Sequence, residues 1–107
     1  MKVFVSQPMR GKTEKEILKE RNDAVCCVQE MFCIERSEIE VIDSYFDEFS
    51  GDEESRHPLV YLGRAIVMMA EADVVCFAPG WSKARGCRIE NMAAHEYGKE
   101  ILELFGA

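Results

Sequence analysis

Short apolar runs alternate with longer stretches of helical period along this chain. Val3-Phe4-Val5 reads as a first strand, and Ser6-Gln7-Pro8-Met9-Arg10-Gly11-Lys12 follows as a turn-rich loop. Thr13 with Glu16 three residues later forms a capping box and predicts a helix to about Phe32. Ile17, Ala24, Val25, Val28, Met31 and Phe32 share one face of that helix. Glu38 to Ile42 alternates and predicts a second strand. Asp43 to Arg56 is a polar, acidic connection that carries Tyr45, Phe46 and Phe49. Its length for a compact domain points to a lid or an interface. His57-Pro58 opens a second helix, with proline in the first turn and Leu59, Leu62, Ile66, Met69 and Ala70 as its apolar positions.

Asp73 then enters a third strand, the buried run Val74-Val75-Cys76-Phe77-Ala78. A loop from Pro79 to Arg85 leads into a third helix, where Ile89, Met92, Ala93, Glu96 and Tyr97 recur at helical spacing. Gly98 ends that helix as a C-cap glycine, and Ile101 to Phe105 forms a last strand. The order βαβαβαβ predicts an α/β chain: a three-layer, Rossmann-like or flavodoxin-like sandwich. Its four-stranded parallel sheet carries helices on both faces. No repeat, low-complexity segment or linker divides residues 1–107, so one domain is expected.

The composition, 48% hydrophobic and 31% charged over 107 residues, suits one core. No stretch is long enough to span a membrane and no signal peptide is read before Lys2, so a cytoplasmic protein is expected. A net charge of −7 argues against binding polymeric nucleic acid. Within this acidic chain, however, Arg10 and Lys12 gather in one loop, and Lys83, Arg85 and Arg88 gather near Glu90. That pattern suggests a small anionic ligand, although any single Lys or Arg is more simply a solvated charge. The cysteines are Cys26, Cys27, Cys33, Cys76 and Cys87. Their odd number and the lack of C-x-x-C argue against a disulfide framework and a zinc site. Cys87 at a helix start is expected to have a lowered thiol pKa. Neither H-E-x-x-H nor a zinc-deaminase pattern occurs, so no metal or other cofactor is expected.

In a parallel sheet the loops after successive strands share the carboxyl edge. The first loop offers Ser6, Arg10, backbone N–H groups and a helix start, a set that suits a phosphate, without a P-loop or G-x-G-x-x-G pattern. The third loop brings Gly80, Trp81 and Ser82, with the indole as a surface on which a base can stack. Glu90, placed in about the first turn of the third helix, is expected to be ionised there by the helix dipole. Small Ala94 one turn on leaves space beside it. A glutamate in a first turn is commonly there for the dipole alone, and Trp81 can equally be a packing residue. Asp73 is expected at the far edge of the sheet in a structural role, and His95 toward solvent.

On these residues the chain resembles the nucleoside 2-deoxyribosyltransferase-like superfamily. That group includes deoxynucleoside 5′-monophosphate N-glycosidases and small bacterial and phage proteins of similar length. The matching features are Ser6…Met9-Arg10-Gly11 after the first strand, Ala72-Asp73-Val74-Val75, and Gly86-x-x-x-Glu90 followed by Ala93-Ala94 and Gly98-Lys99. The resemblance implies cleavage or transfer at the N-glycosidic bond of a (deoxy)nucleoside or its 5′-monophosphate. Glu90 would be the nucleophile. The loop from Ser6 to Arg10-Gly11 would receive a 5′-phosphate. Apart from the resemblance, Trp81 is expected near the base or sugar, and the full substrate-binding set expected is Ser6, Gln7, Pro8, Met9, Arg10, Gly11, Asp43, Gly80, Trp81, Ser82 and Gly86. The short chain, the aromatic-bearing connection with Tyr45, Phe46 and Phe49, and the family's habit of completing sites across subunits lead us to expect a homodimer or higher oligomer. The chain departs from the family in Tyr61 to Ile66, which holds no acid where the active branches place an aspartate. Asp43, Asp47 and Asp52 are the acids left to replace it. The alternative is a nucleotide-binding or regulatory protein of the same fold without turnover. A metal-dependent phosphohydrolase ranks last, because only Asp43 sits where a metal carboxylate is needed.

Overall fold

In the computed structural model, residues 1–42 and 58–105 are described. Four strands, β1 (Lys2–Ser6), β2 (Glu40–Ile42), β3 (Val74–Phe77) and β4 (Glu100–Glu103), alternate with three helices. These are α1 (Glu14–Phe32), α2 (Pro58–Ala70) and α3 (Arg85–Glu96). The sheet is all parallel in the order β2-β1-β3-β4. β1 and β3 are central and nearly every residue in them is buried, as a sheet covered on both faces requires.

Strand alternation divides the core in two. Val3, Val5, Val74, Cys76 and Ala78 pack with Ala24, Val25 and Val28 of α1. Phe4, Val75 and Phe77 pack with Ala65 and Met69 of α2 and Ala94 of α3. So α1 covers one face while α2 and α3 lie side by side on the other.

Helix ends follow the sequence signals closely. Thr13 and Glu16 form the reciprocal capping box on α1. Gly98, at φ +70°, closes α3, and the Lys99 N–H reaches back to the Ala94 carbonyl as in a Schellman motif. Asp73 has the structural role expected of it. Its carboxylate accepts the Lys2 backbone N–H at 2.7 Å, at the edge opposite the loops.

The strand limits differ from expectation. Arg36–Glu38 forms a 3₁₀ turn, so β2 begins at Glu40, and β4 covers Glu100–Glu103 rather than running to Phe105. The buried faces of two helices also differ. α2 turns Tyr61, Ala65 and Met69 inward and leaves Leu59 and Ile66 exposed. α3 buries Cys87, Glu90 and Ala94 and exposes Ile89, Met92 and Tyr97. In α1, Met31 is also exposed. The acidic connection with Tyr45, Phe46 and Phe49, and His57 before α2, lie outside the described residues.

Lys99 makes a long-range tie. Its Nζ donates to the Ala70 and Ala72 carbonyls, each at 2.9 Å, closing the C-terminal end of α2. Replacing Lys99 with methionine keeps the aliphatic stem and removes both charge-assisted bonds. We expect a loss of about 2 kcal/mol, read as a lower urea midpoint with an unchanged slope.

Candidate functional site

Glu90 and the first loop meet at the carboxyl edge of β1 and β3. Residues of β1 alternate faces, so Phe4 and Ser6 point to the α2–α3 side and Val5 and Gln7 to the α1 side. Ser6 is buried, and its hydroxyl donates to Glu90 Oε1 at 2.5 Å. Glu90 is 9% exposed. It is the sixth residue of α3, past the free N–H groups of the first turn.

The expectation that the helix dipole keeps Glu90 ionised is therefore corrected: burial dominates and pushes its pKa up to about 7, with the Ser6 hydrogen bond offsetting part of the rise. Cys87, one turn earlier on the same face, is corrected in the same way. Its thiol is buried and pushed up to about 11, so it stays protonated. Ala94 is fully buried one turn beyond.

The other first-loop residues separate from this contact. Gln7 is buried on the α1 side, and its Nε2 donates to the Ile17 carbonyl at 3.0 Å. Pro8 and Met9 are half-buried, and Arg10 and Gly11 are exposed. A turn is closed by the Lys12 N–H to the Met9 carbonyl at 3.2 Å. Gly11 holds its third position at φ +77°, a conformation that favours glycine. Lys12 is drawn away into a salt bridge with Glu20 at 2.7 Å.

The first and third loops touch. A Cβ at Gly80, whose φ is +89°, would lie 3.5 Å from Pro8 Cγ. The 3₁₀ turn Trp81–Lys83 follows. Trp81 is half-buried, with its ring tilted against Phe77 and Phe105 at centroid distances of 5.6 and 5.8 Å. It is thus engaged in packing on both sides. Ser82 is exposed, and its carbonyl accepts a 3.3 Å bond from Arg88. Gly86 is half-buried, with nothing within 4 Å of a Cβ placed there. Asp43, Asp47 and Asp52 lie outside the described residues.

Among the described residues, two buried polar atoms after β1 and β3, Gln7 Oε1 and Trp81 Nε1, have no hydrogen-bond partner. Arg10, Lys83 and Arg85 make no ion pair among the described residues. The fold thus brings together Ser6, Cys87 and Glu90 on the α3 side, and Pro8 with Gly80 between the loops. It sends Gln7 to the opposite face. Cys87 as a neighbour of the carboxyl was missed in the sequence. Its i, i+3 spacing to Glu90 was the available signal.

A separate groove of about 470 Å³ lies on the α1 side, lined by Glu20, Asp23, Cys27, Pro79, Leu104 and Phe105 rather than by Glu90. Among the described residues, no group of three or more His, Cys, Asp or Glu side chains is placed to hold a metal ion. No described helix is long and apolar enough to cross a membrane.

Removing the Ser6 hydroxyl tests the electrostatics directly. In Ser6→Ala the carboxyl loses the donor that favours its charged form. We expect the Glu90 pKa to rise above its wild-type value by about one pH unit, followed by ¹³C carboxyl shifts. An unchanged titration would show that the hydroxyl does not face the carboxyl in solution.

Comparison with protein-family models, with curated proteins and with solved structures finds no match for this chain.

Proposed function

We propose that the chain cleaves, or transfers across, the N-glycosidic bond of a (deoxy)nucleoside or its 5′-monophosphate, with Glu90 as nucleophile. The observation that carries the reading is the 2.5 Å contact between Ser6 and Glu90. It ties a carboxyl to the last residue of β1, and the loop that follows carries Arg10, exposed and in no ion pair among the described residues, as the group to meet a phosphate. In this scheme a Glu90 oxygen bonds to the anomeric carbon as the carbon–nitrogen bond breaks. The base departs with the bonding electrons and takes up a proton. Water, or a second base, then opens the sugar ester and frees the carboxylate. The resemblance of the first loop and of Gly86-x-x-x-Glu90 to the 2-deoxyribosyltransferase-like superfamily supports the same chemistry. The Trp81 Nε1 donor, without a partner among the described residues, supports a polar ligand beside the third loop. A cytoplasmic setting and a homodimer belong to this reading.

A second reading is a nucleotide-binding protein without turnover. The burial of Glu90, with its pKa raised to about 7, favours it, since a half-protonated, covered carboxyl is a poor nucleophile. Incubation with each deoxynucleoside and its monophosphate, followed by chromatography for free base, separates the two. Base release above a Glu90→Gln control supports the enzyme. Ligand-dependent thermal stabilisation that survives that substitution, with no release, supports the binding protein.

A further inference from the structure

The two faces of the sheet are covered unequally. α2 and α3 share one face, whereas among the described residues α1 alone covers the other, lying across the central strands β1 and β3. Four strands about 4.8 Å apart make a face roughly 15–20 Å wide, and one helix about 10 Å across covers about half of it. The flank over β4 is left open. Leu102 and Leu104 of that flank stay half-buried, and Phe105 is 71% exposed. The groove of about 470 Å³ lies there, with Ala24, Cys27, Pro79, Leu104 and Phe105 as its apolar lining.

What fits this groove is indicated by the wall that α1 gives it. Glu16, Glu20, Asp23, Cys27 and Glu30 follow one another at steps of four and three residues, so they form one straight stripe about 21 Å long. Four of the five are acids, and the fifth is the thiol of the groove lining. An apolar floor beside a charged flank at heptad spacing is the arrangement by which paired helices select one another. We propose that the groove binds an amphipathic helix of another protein, about four turns long. Its apolar row lies on Leu104, Phe105 and Ala24, and its lysines and arginines face the acidic stripe of α1.

The acids of the stripe are engaged to different degrees. Lys12 Nζ holds both Glu20 oxygens, at 2.9 and 2.7 Å, so that pair is a fixed part of the wall. Asp23 meets Lys19 at 3.0 Å in an exposed pair, which is weak and open to exchange for a partner's cation. Glu16 and Glu30 are exposed and make no ion pair among the described residues. The straightness and length of the stripe favour a helix over a small ligand. The position of the acids on α1, away from the free edge of β4, favours a helix over an added strand. A net charge of −7 on the chain draws a basic partner in from solution. This assignment is independent of the chemistry at Glu90, which lies on the opposite face of the sheet.

The test uses a synthetic helical peptide of about 18 residues with leucine on one face and lysine on the other, and a control with glutamate for lysine. Affinity is read by fluorescence anisotropy at physiological salt. Location is read from the rate at which iodoacetamide alkylates each cysteine of the full chain, resolved by mass spectrometry. The lysine peptide is expected to bind at least about tenfold more tightly than the glutamate peptide. It is expected to slow alkylation of half-buried Cys27 about tenfold, while exposed Cys26 and Cys33 react as before. Asp23→Lys/Glu30→Lys is expected to weaken binding about tenfold or more, because both cations then oppose the peptide's own. Glu71→Lys/Glu96→Lys makes the same change in net charge at exposed sites off the groove, and should leave affinity within about twofold. Circular dichroism confirms that both variants fold. Equal binding of the two peptides, or none, overturns the proposal, as does a loss that is no larger in the groove variant than in the control variant. Cys27 left open to alkylation in the complex overturns it too. So does a Cys27 as unreactive as buried Cys76 in the free protein, which would mean that the groove is already filled.

Discussion

Replacing Glu90 with glutamine is expected to lower base release from the reactive nucleoside or nucleotide by at least about 10⁴-fold, the scale seen when a covalent nucleophile is removed. Glutamine has nearly the volume of glutamate and its carbonyl still accepts the Ser6 hydroxyl, so the site stays packed. What it lacks is an oxygen able to bond to the anomeric carbon and later be released. The measurement is free base formed under single-turnover conditions, with wild type and variant at the same saturating substrate.

A pH dependence accompanies this expectation. The wild-type carboxyl has a pKa raised to about 7 by burial, and attack requires the ionised form. The rate should therefore climb from low pH and level off above about 7, and the ascending limb of kcat/KM should report the free enzyme's carboxyl. Wild-type turnover that is undiminished in Glu90→Gln would remove the nucleophile assignment, whatever the ligand proves to be.

The order of elements was readable because each strand is an apolar run between turn signals and each helix has an end marker of its own. Thr13 with Glu16 and Gly98 mark the ends they were expected to mark, and Pro58 lies in the first described turn of α2. The inward faces of α2 and α3 were harder to read for one physical reason. α2 is apolar nearly all round, so periodicity has no polar side against which to fix a face. In α3 the buried row includes a glutamate and a cysteine, and the exposed row includes Ile89 and Met92. A pattern reading that sends polar residues outward inverts such a helix. The inversion of α3 falls on the residue that we assign to chemistry, whereas in α2 Met69 is buried as expected and the rest of the face is rotated.

At the site, the meeting of Ser6 with Glu90 followed from topology, since β1 and β3 are neighbours and their loops share one edge. The protonation state did not follow. It depends on how deeply the carboxyl sits, which spacing along a helix does not encode. The indole of Trp81 illustrates the same limit. Its place after β3 was legible, but its engagement by Phe77 and Phe105 required knowing that the residues after β4 return to that edge.

Glu90 should also make the fold pH-sensitive in an unusual direction. Its carboxyl has an unfolded value of 4.5 and a native value of about 7. Between these, the native protein holds a proton that the unfolded chain has released, so this group makes stability fall as pH rises. Below about pH 4.5 both states are protonated and the cost vanishes. Above about 7 both are ionised and the whole cost of the buried charge is present, about 3 kcal/mol from the difference in pKa. Glutamine at this position does not titrate. Glu90→Gln should therefore match wild type in its pH trend below 4.5 and pull ahead through the window. By pH 8 the gap should reach the order of 10 °C in melting temperature for a domain of this size. Other carboxylates titrate in both proteins, so the difference between the two stability curves isolates Glu90. A difference independent of pH would mean that this carboxyl ionises as if in water. The side chain would then sit in an open, hydrated cleft, and burial would have to give way to solvent as the setting for whatever chemistry it performs.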